Sequence, residues 1–122
     1  MRTQPISGDR FAEIVNMLRD ESPLHAENVD HVTPDESAAY FVTDDQRSGY
    51  AITGDQRLIA VWSVERGRGD MLVADAVQHG ARTLDCFEGH LSDLYARHGF
   101  EIVDRVANWD PEGPAVVEMR RP

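Results

Sequence analysis

The stretch from residue 61 to 100 constrains the fold more than any other part of this chain. A strand-like run leads into Gly67-Arg68-Gly69, and a helical pattern leaves this turn at once. A second short strand-like run and a second helical pattern follow, the latter closing on Leu-Tyr-Ala-Arg-His-Gly-Phe at residues 94–100. A strand that feeds a glycine-rich turn at a helix start bares backbone N–H groups where the helix dipole favours negative charge. The arrangement therefore predicts a place that could hold a phosphate.

The N-terminal part predicts an amphipathic helix. Its apolar residues recur at the spacing of one helical face, namely Phe11, Ile14, Val15 and Leu18. Ser7 or Asp9 can cap this helix, and Ser22-Pro23 ends it. The polar stretch over residues 24–36 predicts a loop with room for one helical turn.

The middle of the chain predicts an antiparallel meander. Three strand-like runs cover residues 38–42, 49–53 and 58–64, and near copies of one turn, Thr-Asp/Gly-Asp-Gln-Arg, separate them. Later residues predict a helix over about 69–79, a buried strand over 83–87, a short helix over 91–98, and strands over 101–109 and 115–120. This order predicts a single α/β (α+β) domain over residues 1–122, with one mixed sheet and helices on its faces.

The composition narrows the classes of partner and site. A net charge of −10 argues against nucleic acid, because phosphate backbones are bound by clustered Lys and Arg. All twelve basic residues are Arg, which we attribute to a GC-rich or salt-adapted genome. The single cysteine, Cys86, excludes an intrachain disulfide and is expected to be a small core side chain. The five histidines show no metal-ligand spacing with Cys86 or with one another, so we expect no metal site.

The sequence also bears on the compartment. It has no apolar stretch long enough to span a bilayer and no charged-then-apolar leader. We therefore expect a soluble cytoplasmic protein with no membrane partner.

Two spaced motifs resemble a known superfamily. The order of elements, the Arg-Gly-Arg-Gly turn and the Leu-Tyr-x-x-x-Gly-Phe ending resemble the GNAT superfamily of acyl-CoA-dependent N-acyltransferases over residues 38–120. The later part looks like small GNAT-like proteins of bacteriophages and mobile elements, on the residues Leu84-Asp85-Cys86-Phe87-x-Gly89, Tyr95, Gly99-Phe100, Asn108-Trp109 and Gly113-Pro114-x-Val116-Val117-x-Met119. The resemblance implies a mixed, mostly antiparallel twisted sheet with helices on both faces.

The resemblance also implies a set of functional residues. It implies acetyl-CoA as co-substrate, whose pantetheine arm would pair with the backbone of Val61, Trp62 and Ser63. The pyrophosphate would lie on the N–H groups of the turn, at Arg66, Gly67, Arg68, Gly69 and Asp70. Tyr95 would protonate the departing thiolate, since an unperturbed tyrosine, with a pKa of about 10, keeps its proton at neutral pH. Glu65 is the carboxylate nearest to the strand and is our candidate general base.

Four residues depart from the family pattern. Val64 stands where Gln or Arg is usual, and Glu88 where Asn is frequent. Arg68 replaces an apolar residue and could pair with a phosphate. Asp70 would cap the helix, compete for the N–H groups of the turn and repel an anion.

The residues taken by themselves leave other interpretations open. The glycine turn could be a capped helix start, Tyr95 a core aromatic beside Leu91 and Leu94, and Glu65 a surface carboxylate. Trp62 and Trp109 could line a groove or pack on the sheet.

Two functions therefore stand side by side. The first is an N-acetyltransferase acting on the amine of a small molecule or a protein. The second is an inactive GNAT-fold protein of phage type that sequesters a host protein in the host cytoplasm. The C-terminal strand could also pair across a homodimer.

Overall fold

The computed structural model describes residues 2–21 and 37–122, with side chains omitted for residues 19–21. The loop expected over residues 24–36 and the helix end expected at Ser22-Pro23 lie outside the described residues. In chain order the elements are β1 (Thr3–Ile6), α1 (Gly8–Glu21), β2 (Ala39–Thr43), β3 (Ser48–Ile52), β4 (Leu58–Ser63), α2 (Gly69–Gln78), β5 (Thr83–Phe87), α3 (His90–Ala96), β6 (Glu101–Val106) and β7 (Val116–Arg120).

The strands form two antiparallel sheets rather than the single mixed sheet that we expected. The first has the order β1-β2-β3-β4 and the second the order β5-β7-β6. A parallel bridge between Arg57 and Thr83 joins the starts of β4 and β5, where the carbonyl of Gln56 accepts from the N–H of Arg82 at 2.8 Å. Beyond this bridge, β4 and β5 belong to different sheets, so each leaves one edge without a strand partner in the described part of the chain.

Helices cover both faces of the first sheet, as the fold class predicts. The face under α1 carries one buried cluster, formed by Phe11, Ile14, Val15, Tyr40, Val42, Ala51 and Trp62. The opposite face carries the larger cluster, which α2 and α3 cover and which continues under the second sheet through Leu84, Val117 and Met119. Neighbouring strand residues such as Tyr40 and Phe41 belong to different clusters because side chains alternate along a strand. The mixed α/β architecture is therefore confirmed.

The predicted meander is confirmed, and its two similar turns share one geometry. In each turn, the Thr hydroxyl donates to the Asp two residues later, and the Thr carbonyl accepts from the Gln N–H, at 2.8 Å in the first turn and 3.0 Å in the second. Gln46 and Gln56 adopt left-handed φ angles of 58° and 68°. The turn sequence is therefore hairpin chemistry, a type I turn followed by a left-handed residue.

The boundaries differ from the sequence-based prediction in a few places. β1 was not predicted, because it is short and contains Pro5, which sheets accept at an edge strand. The Ser7 hydroxyl, rather than Asp9, caps α1 by accepting from the N–H of Arg10 at 3.2 Å. Within the described residues, none of the helices combines the length and the apolar character needed to cross a membrane. No group of His, Cys, Asp and Glu side chains there could hold a metal ion.

Candidate functional site

The gap between β4 and β5 is a cleft of about 450 Å³, which we call the slot. Both strands, α3 and the first residue of β7 contribute to it. Its lining residues are Leu58, Ile59, Ala60, Val61, Leu84, Asp85, Cys86, Phe87, Leu91, Tyr95 and Val116. The volume falls in the range of about 300 to 1,000 Å³ that is typical of ligand pockets.

A β-bulge shapes the β4 wall of the slot. Gly49 pairs with Trp62 and Ala51 pairs with Ile59, so β4 has one residue more than β3 over this interval. Ala60 absorbs the extra residue with a φ of 52° and is exposed in the slot. Such a bulge bends a strand and redirects its backbone groups. The backbone groups of β4 near Ala60 therefore no longer point as they would in a regular strand, and the slot begins at this position.

The slot runs between the two sheets, and its two sides differ. On β5, Leu84 and Cys86 point to the core beneath α3, so Asp85 and Phe87 point to the opposite face. Since residues from both sets line the slot, it opens to both faces. We call the face with α2 and α3 the helix side and the other face the outer side.

Tyr95 lies at the helix side of the slot. Its side chain is only 7% exposed, and its ring meets Phe100 edge to face at 6.1 Å. Burial, with the neighbouring Cys86 and Asp85, raises the pKa of Tyr95 to about 12. Within the described residues no side chain or backbone group forms a hydrogen bond with its hydroxyl. The phenol is therefore protonated at neutral pH and free to donate into the slot.

The glycine turn has the open backbone that the sequence predicts. Gly67 has a φ of 78°, and a Cβ added there would meet nothing within 4 Å. Gly69 packs closely against α3, because an added Cβ would lie 3.0 Å from Cδ2 of Leu94. In the described part of the chain no side chain caps the start of α2 at Arg68. The N–H groups of the first turn of α2 are therefore available to a ligand.

Asp70 does not occupy these N–H groups. Its carboxylate accepts from His98 Nε2 at 2.9 Å and from Arg97 Nη2 at 3.3 Å, both at the end of α3. The hydrogen bond from His98 lowers the pKa of Asp70 most, and the hydrogen bond from Arg97 lowers it further. Asp70 therefore does not compete for the N–H groups of the turn as expected, because its carboxylate is paired with Arg97 and His98.

Arg68 is also engaged within the protein. It forms a bidentate pair with Asp45 of the β2–β3 turn at 2.6 and 3.0 Å, and it donates to the Ser48 hydroxyl at 3.1 Å. The Arg68 guanidinium, together with the Thr43 hydroxyl, holds the pKa of Asp45 well below its usual range. Arg66 is exposed, and no ion pair joins it to the described residues. Arg66 is therefore the more accessible cation of the turn.

The remaining candidates lie in different surroundings. Val61 lines the slot, whereas Trp62 is buried beneath α1, with its ring 6.3 Å from that of Phe11. The Ser63 hydroxyl donates to the Glu65 carbonyl at 2.6 Å and so shapes the turn. The Glu65 carboxylate is paired with Arg47 at 2.5 Å and lies outside the slot lining.

Comparison with known proteins supports this geometry at the level of the fold. No family model and no curated protein matches the sequence. Among solved structures, an acyl-CoA N-acyltransferase from Pseudomonas aeruginosa aligns over 100% of both chains with a TM-score of 0.64 and 16% identity. Arabidopsis thaliana NAA60 in complex with a bisubstrate analogue aligns over 97% of this chain and 95% of its own, with a TM-score of 0.61 and 14% identity. A Bacillus subtilis acetyltransferase in complex with CoA aligns over 98% of this chain and 97% of its own, with a TM-score of 0.54 and 18% identity.

The chain has the acyl-CoA N-acyltransferase fold. At these identities the likeness establishes the fold alone, so activity has to be argued from the site. Sequence reasoning missed the outer-side residues Asp85, Phe87 and Val116, and also the pair of Arg97 and His98 beside the turn. The motif gives no signal for the last two, because they occupy variable positions of the Leu-Tyr-x-x-x-Gly-Phe pattern that contains Tyr95.

Proposed function

We propose that this protein transfers an acetyl group from acetyl-CoA to an amine. One observation carries the proposal: the buried Tyr95 side chain presents an unbonded hydroxyl to a slot between two strand edges, beside a glycine turn with free N–H groups. The hydroxyl is reached from the slot rather than sealed in the core, so a ligand there could accept its proton. Its presence in a slot that opens to both faces favours a role in chemistry.

The residues of the site fit acetyl-CoA. An extended ligand with amide groups, such as the pantetheine arm, could pair with the free edge of β4 from Val61 to Ser63, as strands added to sheet edges do. A diphosphate could accept from the N–H groups between Arg66 and Asp70. Arg66 could approach it directly, and Arg68 could do so if it left Asp45. Acetyl-CoA, when bound, supplies the acetyl group as a reactive thioester.

The chain's own groups would manage the protons of the transfer. A C–N bond to the acetyl carbon replaces the C–S bond, so a proton must leave the amine and one must reach the sulfur. A thiol has a pKa of about 8.5, roughly three and a half units below the value of about 12 for Tyr95. Complete proton transfer from Tyr95 to a thiolate is therefore uphill. We assign Tyr95 the donation of a hydrogen bond to the sulfur while negative charge develops there. CoA then leaves as a thiolate, which takes its proton from water.

Two carboxylates, Glu65 and Asp85, are candidates for the base that takes the proton from the amine. Glu65 would have to leave Arg47 and reach the slot, because its carboxylate lies outside the slot lining. Asp85 is the carboxylate that lines the slot, on its outer side. An amine that approaches from that side would meet Asp85 first.

The first experiment is a calorimetric titration of acetyl-CoA into the wild-type protein and into Gly67→Trp, with Gly80→Trp as the matched control. Both glycines have left-handed φ angles, 78° and 99°. An added Cβ would meet nothing within 4 Å at Gly67 and only the end of the Gln56 side chain, at 4.0 Å, at Gly80, which lies at the opposite end of α2. Binding that is lost in Gly67→Trp and kept in Gly80→Trp, followed by release of free CoA with an amine, is the expected result. No binding to the wild type at millimolar acetyl-CoA would refute the proposal.

One observation favours the second function, a cofactor-free protein of phage type that binds a host protein. Arg68 is held by Asp45, and two carboxylates, Asp45 and Asp70, lie close to the place where a diphosphate would bind. If the titration shows no binding, a purified host partner whose affinity is the same for wild type and Gly67→Trp would establish this alternative.

A further inference from the structure

An exposed apolar row crosses the outer side of the second sheet. Phe87 pairs with Val116, and Val116 pairs with Val106, so the three side chains are cross-strand neighbours on one face. Phe87 is 51% exposed and Val106 is 59% exposed. The loop that joins β6 to β7 continues this end of the sheet and carries Trp109, which is 95% exposed. We call Phe87, Val116 and Val106 the apolar row.

Next to it lies an acidic row. Asp85 pairs with Glu118, and Glu118 pairs with Asp104, again as cross-strand neighbours. Arg57 serves two of the three carboxylates, contacting Glu118 at 2.6 and 2.9 Å and Asp85 at 3.1 Å. The row keeps an excess of two negative charges. Like charges directly opposite each other destabilise a sheet, so a cation bound here would relieve a cost that the free protein bears.

Both rows end in the slot. Asp85 from the acidic row and Phe87 and Val116 from the apolar row line it on the outer side. Tyr95, nine-tenths buried and without a hydrogen-bond partner among the described residues, reaches the same slot from the helix side. A molecule on the outer side would therefore meet a carboxylate and an apolar wall next to the reacting position.

We propose that the acceptor is a primary amine with an apolar substituent, bound on the outer side of the slot with its ammonium group at Asp85 and its apolar part on Phe87 and Val116. The inference rests on the proposed acetyl transfer, because it names the acceptor class of that site. A small primary amine is cationic at neutral pH, as lysine is with a pKa of about 10.4, and this charge complements the acidic row. An amine with only polar substituents would leave the apolar row in water.

The test compares two probe amines that share the ammonium head. Binding of 2-phenylethylamine and of ethanolamine to the full chain is measured by calorimetry, without and with acetyl-CoA, and free CoA is measured in a separate turnover assay. We expect phenylethylamine to bind about 30-fold more tightly, because an apolar group in a fitting pocket gives roughly 10- to 200-fold discrimination. The binding arm does not depend on turnover, so the acceptor site and the acetyl transfer can fail separately.

Substitutions in the apolar row and in the acidic row test which row binds which part of the amine. Phe87→Ala should weaken phenylethylamine about 10-fold and leave ethanolamine unchanged, while Phe87→Leu should restore most of the preference. Asp85→Asn should weaken both amines by about 3-fold, because its carboxylate is more than half exposed. Asp93→Asn is the matched control, an exposed carboxylate on α3 outside the slot lining, and should change neither affinity.

The outcomes separate clearly. Preferential binding of phenylethylamine that depends on Phe87 supports the acceptor site even if no free CoA is released, in which case the acetyl transfer is what fails. Equal affinity for the two amines, or equal effects of Asp85→Asn and Asp93→Asn, would overturn the inference. Turnover of ethanolamine at the rate of phenylethylamine with equal KM would overturn it as well, while leaving the acetyltransferase proposal in place.

Discussion

Tyr95→Phe and Tyr50→Phe remove the same atom from the same residue type, and we predict that only Tyr50→Phe lowers stability. Tyr50 is fully buried, and its hydroxyl donates to the Asp75 carboxylate. Since this bond uses its only proton, the contact with His79 Nδ1 at 2.8 Å must be donated by the histidine. Tyr95 is nearly as buried, but its hydroxyl has no partner among the described residues.

The magnitudes follow from these partners. A hydrogen bond to a charged group contributes about 1.5 to 3 kcal/mol, so Tyr50→Phe should lower the free energy of unfolding by about 2 kcal/mol. Tyr95→Phe removes a hydroxyl that gains nothing in the folded state, so we expect between no change and a gain of about 1 kcal/mol. The two variants should therefore differ by about 2 to 3 kcal/mol, or roughly 10 °C in Tm for a chain of this size.

Urea and thermal unfolding of both variants measure this difference. A loss of stability in Tyr95→Phe as large as that in Tyr50→Phe would refute the reasoning, because the Tyr95 hydroxyl would then have a structural partner. Activity gives the second readout. If Tyr95 donates to the sulfur, Tyr95→Phe should lower kcat by about 100-fold and leave the affinity for acetyl-CoA unchanged. Because the pKa of Tyr95 is raised to about 12, its protonation should cause no decline of kcat between pH 8 and pH 10.

Three further predictions concern other parts of the structure. Asp45→Asn should lower stability by about 1 kcal/mol at pH 7. Because the folded-state pKa of Asp45 is depressed, the stability difference is fully present above about pH 4 and should shrink progressively as the pH falls below 4 in urea titrations. The released Arg68 should also tighten acetyl-CoA binding. Gln56→Gly should raise stability by about 0.5 kcal/mol, since it relieves a left-handed φ, and a loss in urea unfolding would contradict this. Burial and Asp85 raise the pKa of Cys86 to about 11, so its alkylation at pH 8 should be about 100-fold slower than that of a free thiol.

The parts of the fold that the sequence predicts are those fixed by neighbouring residues. The apolar spacing of Phe11, Ile14 and Val15 places α1, and the repeated Thr-x-Asp-Gln-Arg turn places the hairpins around β3. Gly67 and Gly69 locate the turn because only glycine fits its left-handed φ and its close approach to Leu94. Each of these signals acts within about ten residues of the chain.

The division into two sheets has no such local signal. It depends on one bridge between Arg57 and Thr83 and on the extra residue in β4, and a continuous sheet would need the same strand patterns. The state of Asp70 is equally non-local, because its partners Arg97 and His98 lie 27 and 28 residues away. Helix capping was the natural expectation for a carboxylate at this position, and the ion pair replaces it.

The candidate site shows the same limit. Resemblance to a known superfamily pointed to Tyr95, whereas periodicity alone described it as a core aromatic, and its burial agrees with both descriptions. The outer-side rows could not be predicted, because they require the registers of β5, β6 and β7 together. The bulge at Val103 decides which residues of β6 face outward, and it leaves no mark in the sequence.

Several costs of this fold converge on the slot. Two strand edges are unpaired there, Ala60 adopts a left-handed φ, and the Tyr95 hydroxyl is bonded to none of the described residues. Two carboxylates of neighbouring strands, Asp85 and Glu118, share one arginine. Elsewhere comparable groups are satisfied: Tyr50 is bonded, and Glu88 pairs with Arg105. Unfavourable features that cluster in one place are typical of functional sites, where a bound ligand offsets their cost to the free protein.

Each unfavourable feature also matches one part of the proposed reaction. Strand edges suit an extended amide chain, a free phenol suits a departing sulfur, and unpaired negative charge suits an ammonium group. A ligand-free role would leave all of them without compensation, and this is the physical reason for preferring acetyl transfer over a purely structural use of the fold.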